Sequence, residues 1–344
     1  MVFSEEDFGP APKALGEWFA RNRRDLPWRT PAGVLRDPWK NLVSEVMSQQ
    51  TRMEVVAPRF EEWMEIFPTP AALARASEDA VLAAWAGLGY YSRARNLRKA
   101  ALYVTENGWP GTSAELAKLP GIGPYTAAAV ASLAFGERVA MVDGNVVRVL
   151  SRLCALETDP RSGAGAKQIA ELARRWVSNG NAGHWNEATM ELGAMVCTPR
   201  NPDCPNCPIL DLCRAAELGE PTKFPPPKVR PEKVPVRRTA VVAEDEHGLL
   251  LRIAASDELL SGLWILPGGN DHPALEIHGE ALGEVCHSIT HHDVRWTVVR
   301  GRWKGGPLPE GWIVCPPGEL KNRVVSSLVR KSLEMAGFVL RAAD

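Results

Sequence analysis

Four cysteines crowd into a short stretch, Cys197, Cys204, Cys207 and Cys213, in the pattern Cys-x6-Cys-x2-Cys-x5-Cys interleaved with Pro199, Pro202, Pro205 and Pro208. Four thiols so close together in a reduced chain suit a metal centre rather than a disulfide framework. Zinc is the generic occupant of a four-cysteine site. The 6-2-5 spacing is, however, neither the paired zinc-ribbon pattern nor a ferredoxin run. A second stretch able to do chemistry is Leu119-Pro120-Gly121-Ile122-Gly123-Pro124, followed by small and apolar residues from Tyr125 to Phe135. Gly121 and Gly123 carry no Cβ, can take φ > 0 and let their amides approach a large ligand. A turn that aims N–H groups from a helix start is a natural phosphate seat. An ordinary corner between two helices reads the same residues without any ligand. Asp143-Gly144-Asn145 then opens a run with Val146, Val149, Leu150 and Leu153 at helical spacing. Asp143 is therefore either an N-cap or a carboxylate at the mouth of a cleft beside the phosphate-binding turn.

These residues need elements to hold them. The pattern predicts an amphipathic helix over 11–24, with Leu15, Trp18 and Phe19 inward, and a second from Asp37-Pro38 with Trp39, Leu42, Val43, Val46 and Met47 on one stripe. Glu45 lies off that stripe, where a glutamate is ordinarily a solvated surface residue. Helices are expected at 53–67, 71–76, 78–86, 92–106 and 166–196, with a strand-like piece from Arg138 to Val142. Residues 219–237 contain EPTKFPPPKVRPEKVP, a proline-rich linker. Beyond it Thr239–Ala243, Leu249–Ile253 and Val294–Val299 read as strands, and 318–336 as a final helix. The expected organisation is a mostly α domain over 1–218, the linker over 219–237, and an α+β domain over 238–344.

The 344 residues suffice for two cores. Composition is that of a globular protein, 45% hydrophobic and 24% charged, with no apolar run of membrane-span length and no signal-peptide core, so a cytoplasmic protein is expected. The formal net charge of −1 does not advertise a nucleic-acid partner. Local groups, Arg21, Arg23, Arg24 and Arg29 and then Arg93, Arg95, Arg98 and Lys99, offer a positive stripe on a neutral whole. Cys154, Cys286 and Cys315 lie singly in apolar surroundings and read as reduced core residues.

LPGIGPYTA followed closely by VDGNVVRVLSRL resembles the helix-hairpin-helix DNA glycosylase superfamily and, within it, the MutY-type adenine glycosylases. SEVMSQQTR resembles their SEVMLQQT segment, GLGYYSRAR their duplex-wedging segment, and the cysteine pattern the [4Fe–4S] loop of the endonuclease III and MutY families. The resemblance runs from Asp25 to about Arg300 and implies a two-lobed helical domain with a hairpin at 119–127 and an iron–sulfur loop at 197–213. It implies Glu45 as catalytic acid, Asp143 as the carboxylate facing the sugar, and Tyr125 and Asn145 as their supports. Trp28, Arg29, Ser48 and Glu187 would surround the base. Ser48 departs from the family's usual leucine, which implies a roomier or wetter pocket. Gln49, Gln50, Thr51, Leu88, Tyr90, Gly121 and Gly123 would meet DNA, and Cys197, Cys204, Cys207 and Cys213 would hold a [4Fe–4S] cluster.

Gly262-Leu263-Trp264-Ile265-Leu266-Pro267-Gly268-Gly269 resembles the strand of Nudix-like domains, but NDHPALEIHGEAL after Gly269 lacks the acidic helix of the hydrolases. The family's Nudix-like domain inspects 8-oxoguanine, and its Phe-Ser-His loop corresponds to Ile289-Thr290-His291, with Thr290 keeping the hydroxyl. The implied partner is double-stranded DNA carrying A:8-oxoguanine or A:G, bound by a monomer. The related bifunctional enzymes place a Schiff-base lysine where this chain has Tyr125, so a monofunctional glycosylase is expected. A thymine mismatch glycosylase of the same superfamily and a non-catalytic lesion-binding protein are the alternatives.

Overall fold

A computed structural model describes residues 11–31, 34–177, 181–227, 232–289, 291–316, 318–320, 323 and 325–338; Thr290 thus lies outside the described residues. The chain divides into two compact units, 1–228 and 229–344.

The first unit is helical: α1 (Ala11–Asn22), α2 (Pro38–Ser48), α3 (Met53–Ile66), α4 (Pro70–Arg75), α5 (Glu78–Ala84), α6 (Ser92–Asn107), α7 (Ser113–Leu116), α8 (Pro124–Ala134), α9 (Gly144–Leu153), α10 (Gly163–Trp176), α11 (Ala182–Met195) and α12 (Arg214–Glu217). Helices α2 to α8 pack together around Trp63, whose ring meets Trp85 and Phe67. Helices α1, α9, α10 and α11 form a second group around Phe19, Leu150, Trp176, Trp185 and Leu192. Helix α8 touches both groups, against α2 on one side and α11 on the other. Its buried alanines, Ala127, Ala128, Ala129 and Ala131, permit that close double contact. The Asn41 amide on α2 donates to the Ala129 carbonyl at 3.1 Å and pins the two helices in register.

Helix starts follow local chemistry. Asp37 accepts the Lys40 N–H with Pro38 in the first turn, and Ser77, Ser162 and Asn181 cap α5, α10 and α11 in the same way. Three expectations need correction. Residues 138–142 are not a strand: the Asn186 side chain accepts the Met141 N–H and donates to the Val139 carbonyl, taking the place of a partner strand. The helix expected over 166–196 is two, because α10 ends at Trp176 and Asn181 caps a fresh start. The stretch 219–227 is not free linker: it forms a 3-10 turn over Pro221–Lys223, buries Phe224, and its Phe224 carbonyl accepts from Arg152.

The second unit is α+β. Its strands are β1 (Val234–Asp245), β2 (Gly248–Ile253), β3 (Trp264–Ile265), β4 (Leu275–Ile289), β5 (His292–Trp303) and β6 (Trp312–Cys315), with α13 (Ser327–Met335). The sheet order is β3-β2-β1-β5-β4, with β6 on β2. Strand β1 runs parallel to β5 from Val234↔His292 to Ala243↔Gly301, so pairing begins inside the stretch expected as linker. Pro235 faces no difficulty there because it sits near the start of its strand. The hydrophobic face that includes Val242, Leu251, Trp296 and Val298 is covered by α13. The final helix starts only at Ser327, capped by Ser326, not at 318. Strand β4 escaped the sequence reading because its burial does not alternate through the exposed middle, where the register slips between His278 and Gly283. Cys154 and Cys315 are buried as expected, but Cys286 on β4 is exposed.

Candidate active site and nucleic-acid interface

Close packing of α2 on α8 brings Glu45 to Tyr125. Glu45 keeps a strip of accessible surface yet lies deep in the protein mass. Burial pushes its pKa up to about 7; the Tyr125 hydrogen bond and the Arg36 charge oppose the rise, while Glu187 and Asp143 add to it. The Tyr125 phenol is raised well above its ordinary value, by burial first and by the Glu45 charge second, so it is a neutral donor. Its hydroxyl also lies 3.6 Å from the Met190 sulfur.

Asp143 is the N-cap of α9, and its charge also reaches Glu45. Its carboxylate accepts the Asn145 N–H at 2.9 Å, the Val146 N–H at 2.8 Å and the Asn145 side-chain amide at 2.7 Å. Burial raises its pKa, and those donors together with Arg148 oppose the rise. Arg148 bridges outward: it donates to Asn145 Oδ1 at 2.7 Å, the Gly193 carbonyl at 2.7 Å and the Cys197 carbonyl at 2.7 Å. The apolar side of α9, with Val146, Val149, Leu150 and Leu153, is sunk in the core and fixes this cap in place.

Glu187 and Glu191 stand one turn apart on α11 and are clamped by arginines. Arg29 donates to Glu187 at 3.1 Å and to Glu191 at 2.9 Å; Arg24 donates to Glu191 at 2.8 Å; Arg36 pairs with Glu187. Burial alone would raise Glu191, but Arg24 and Arg29 hold it at about 2. Trp28 is buried edge-on to Phe60 at 5.2 Å. Ser48 spends its hydroxyl on the Ser44 carbonyl at 2.7 Å, closing a turn of α2. Arg24, Arg36, Glu191 and Arg148 were not singled out for this site from the sequence. Glu191 four residues after Glu187 on a helix, and Arg36 beside an N-capping aspartate, were the available signals. The expected positive stripe is correspondingly blunted, since Arg24 and Arg29 are neutralised here and Arg95 pairs with Glu78.

The residues expected to meet DNA divide. Gln50 is exposed with φ 56°, and Tyr90 is 51% exposed with φ 47°, both unusual for non-glycine residues. Gln49 is half-buried and donates to Thr126 at 3.3 Å, and the Thr51 hydroxyl donates to the Gln49 carbonyl. Leu88, expected as a wedge, is only 4% exposed: the turn folds it inward and leaves Tyr90 as the projecting residue. Gly121 has φ 74° and meets Asn96, where a Cβ would stand 2.5 Å from the Asn96 Cβ. Gly123 does not take φ > 0; at φ −82° it is the N-cap of α8, with open space where its Cβ would be. Both glycines are exposed beside the start of α8. In the second unit, His291 is exposed at the β4–β5 turn with its ring 4.0 Å from that of His292.

The cysteines form a set of free thiols around two 3-10 turns, Cys204–Asn206 and Leu210–Leu212. Burial pushes Cys207 up to about 12, with the neighbouring cysteines' charges adding to it. A cationic group bound at such a thiol reverses that rise. Among the described residues, no three His, Cys, Asp or Glu side chains converge on a single ion. Four thiol donors in one loop suit an iron–sulfur cluster, in which each thiolate takes a different iron. Arg152, 2% exposed, donates to Cys197 Sγ at 3.3 Å and to the Thr198 and Pro199 carbonyls, locking the loop to α9.

This fold and site define a class: residues 43–179 match the HhH-GPD superfamily of base excision DNA repair proteins, and residues 197–213 match the iron–sulfur binding domain of endonuclease III. A thermostable thymine-DNA glycosylase shares the fold at TM-score 0.56 and 28% identity, over 62% of this chain and 98% of that one. Endonuclease III in a non-covalent DNA complex matches at TM-score 0.53 and 23% identity, over 63% of this chain and 99% of that one, a likeness of fold. In sequence, the chain is 45% identical over 215 residues to the adenine DNA glycosylase of Homo sapiens, covering 60% of this chain and 39% of that protein. It is 41% identical over 214 residues to that of Mycobacterium tuberculosis, covering 61% of this chain and 69% of that protein. The chain belongs to the MutY-type adenine DNA glycosylase family. It spans about two-fifths of the human relative's length.

Proposed function

We propose that the protein removes adenine mispaired with 8-oxoguanine or guanine in duplex DNA, hydrolysing the N-glycosidic bond and leaving an intact abasic site. The observation that carries this reading is Glu45, a carboxyl poised at about 7 against the Tyr125 phenol and within charge range of Asp143. A base inside stacked DNA is out of reach, so the nucleotide must be extruded first. Glu45, protonated, gives its proton to adenine N7. The C1′–N9 bond then breaks with its electron pair going to the base, and the sugar becomes an oxocarbenium ion. Asp143, fixed by Asn145 and Val146, offers its carboxylate to that cation, and water adds at C1′ with loss of a proton. Glu187, held by Arg29 and Arg36, and Trp28 border the space for the base. Gly121, Gly123, Gln49, Thr51 and the projecting Gln50 and Tyr90 face the DNA. With Tyr125 in place of an amine, no imine forms and no strand is cut.

The second unit is read as a Nudix-like domain that inspects the opposite base through the turn containing Thr290 and His291. Where a Nudix hydrolase needs an acidic helix after Gly269, this chain continues into β4. Cys197, Cys204, Cys207 and Cys213 would hold a [4Fe–4S] cluster, which supplies a cross-link for the loop that Arg148 and Arg152 tie to α9. Monomeric action fits one complete set of site residues within a single chain. The direct test of the acid is Glu45→Gln: it should bind an A:8-oxoguanine duplex as tightly as the wild type while releasing base at least about 100-fold more slowly. Near-normal release would remove Glu45 from the mechanism.

A further inference from the structure

Arg93, at the start of α6, is the most heavily engaged side chain near the DNA-facing tips. It is 8% exposed and its guanidinium lies over both the Trp85 and Tyr90 rings, at 5.4 and 5.6 Å. Its two terminal nitrogens divide their work. Nη1 donates to the Val46, Met47 and Gln49 carbonyls at 2.9, 3.0 and 2.5 Å, all at or beyond the last turn of α2. Nη2 donates to the Leu88 and Gly89 carbonyls at 2.7 and 3.1 Å and to the Thr51 hydroxyl at 3.2 Å. A residue that merely capped α2 would need only the first set. The Leu88 and Gly89 bonds of the second set tie the same cation to a separate turn whose Gly87, Gly89 and Tyr90 all have positive φ.

The two exposed non-glycine residues with positive φ in this region, Gln50 and Tyr90, each sit one residue beyond an Arg93 acceptor, Gln49 and Gly89 respectively. A left-handed backbone at a bulky residue persists only when its surroundings over-determine it. A planar, permanently charged fork buried between the two turns does that, and a lysine ammonium cannot address both sets at once. We propose that Arg93 is a positioning residue that holds Gln50 and Tyr90 as one pre-set, two-pronged probe and couples that probe to the helix carrying Glu45. Opening of the duplex is then done by side chains already in place, before base release. This rests on the reading that the protein extrudes a base from duplex DNA.

The test compares wild type with Arg93→Lys in single-turnover base release from two DNAs: a fully paired duplex with A opposite 8-oxoguanine, and the same adenine already unpaired in a short bubble. Arg93→Lys should lose about tenfold or more on the duplex and less than about threefold on the bubble, the scale expected for two relaxed, strained residues. In a Gln50→Ala/Tyr90→Ala background, Arg93→Lys should cost less than about threefold on the duplex, because the pair acts as a unit. Equal losses on duplex and bubble, or a full loss persisting in that background, would overturn the proposal. Wild type inert on both DNAs would instead overturn the glycosylase reading on which it rests. If Arg93→Lys does not fold, the wild type decides alone through 3-fluorotyrosine NMR, with Tyr90→Phe assigning the line. A Tyr90 resonance dispersed and broadened as in an ordered ring before DNA is added supports the proposal, and one averaged to the free amino-acid shift contradicts it.

Discussion

At Glu45 the acid is made by subtraction. One phenolic hydrogen bond and one arginine charge do not offset burial, so the group sits at about 7. Asp143 is buried as well but has three N–H contacts and Arg148 to favour its charged form, the difference that the two proposed roles require. In the proposed reaction the protonated form of Glu45 is the acid, so single-turnover base release should fall as pH rises through about 7; a rate still climbing well above that value would contradict the assignment. Stability carries an imprint of the same sign. A carboxyl raised from 4.5 to about 7 leaves the fold most stable below its unfolded pKa, and that stability is lost as pH rises through the folded one. Glu45→Gln should therefore stabilise the protein at pH ~8 by on the order of 2 kcal/mol and leave it unchanged near pH ~4. Thermal melts at both values check this. None of it was legible from Glu45 alone, which lies off the apolar stripe of α2; its role came from the segment it belongs to, and its environment from α8, eighty residues further along the chain.

Among the elements, the hairpin before α8 shows how far two glycines in one motif can differ. Gly121 occupies a left-handed position against Asn96, and Gly123 an ordinary N-cap position facing open space. Gly121→Ala should lower stability by about 2 kcal/mol or more, through both strain and the clash. Gly123→Ala should cost no more than about 1 kcal/mol, the difference between glycine and alanine at an N-cap. Urea midpoints rank them, and equal effects would refute this distinction. The helices α2, α4 and α5, each opened by a side-chain cap, and the long α6 were readable from their local pattern. What was not readable depended on partners distant in sequence. Residues 138–142 form no strand, and Asn186 accepts the Met141 N–H and donates to the Val139 carbonyl; Leu88 turns inward where Arg93 gathers its backbone, and β4 exists through its register with β5.

Across the whole molecule, the first unit holds every residue of the proposed reaction, and Arg148 and Arg152 on α9 join the Asp143 cap to the cysteine loop. The cysteine spacing was legible because metal ligation fixes both residue type and interval, whereas the arginines that brace the loop carry no such pattern. The purified protein should be brown, with about four iron and four acid-labile sulfide per chain; a colourless zinc protein would contradict the cluster. The second unit has its own core, and its proposed task is to choose the opposite base. The measurement that bears on both units at once is single-turnover release from duplexes carrying A:8-oxoguanine, A:G, A:T and T:G, read with and without alkali. Release should be fastest at A:8-oxoguanine, slower at A:G, and absent at A:T and T:G, with strand cleavage only after alkali. Release at T:G, or cleavage without alkali, would contradict the proposed function.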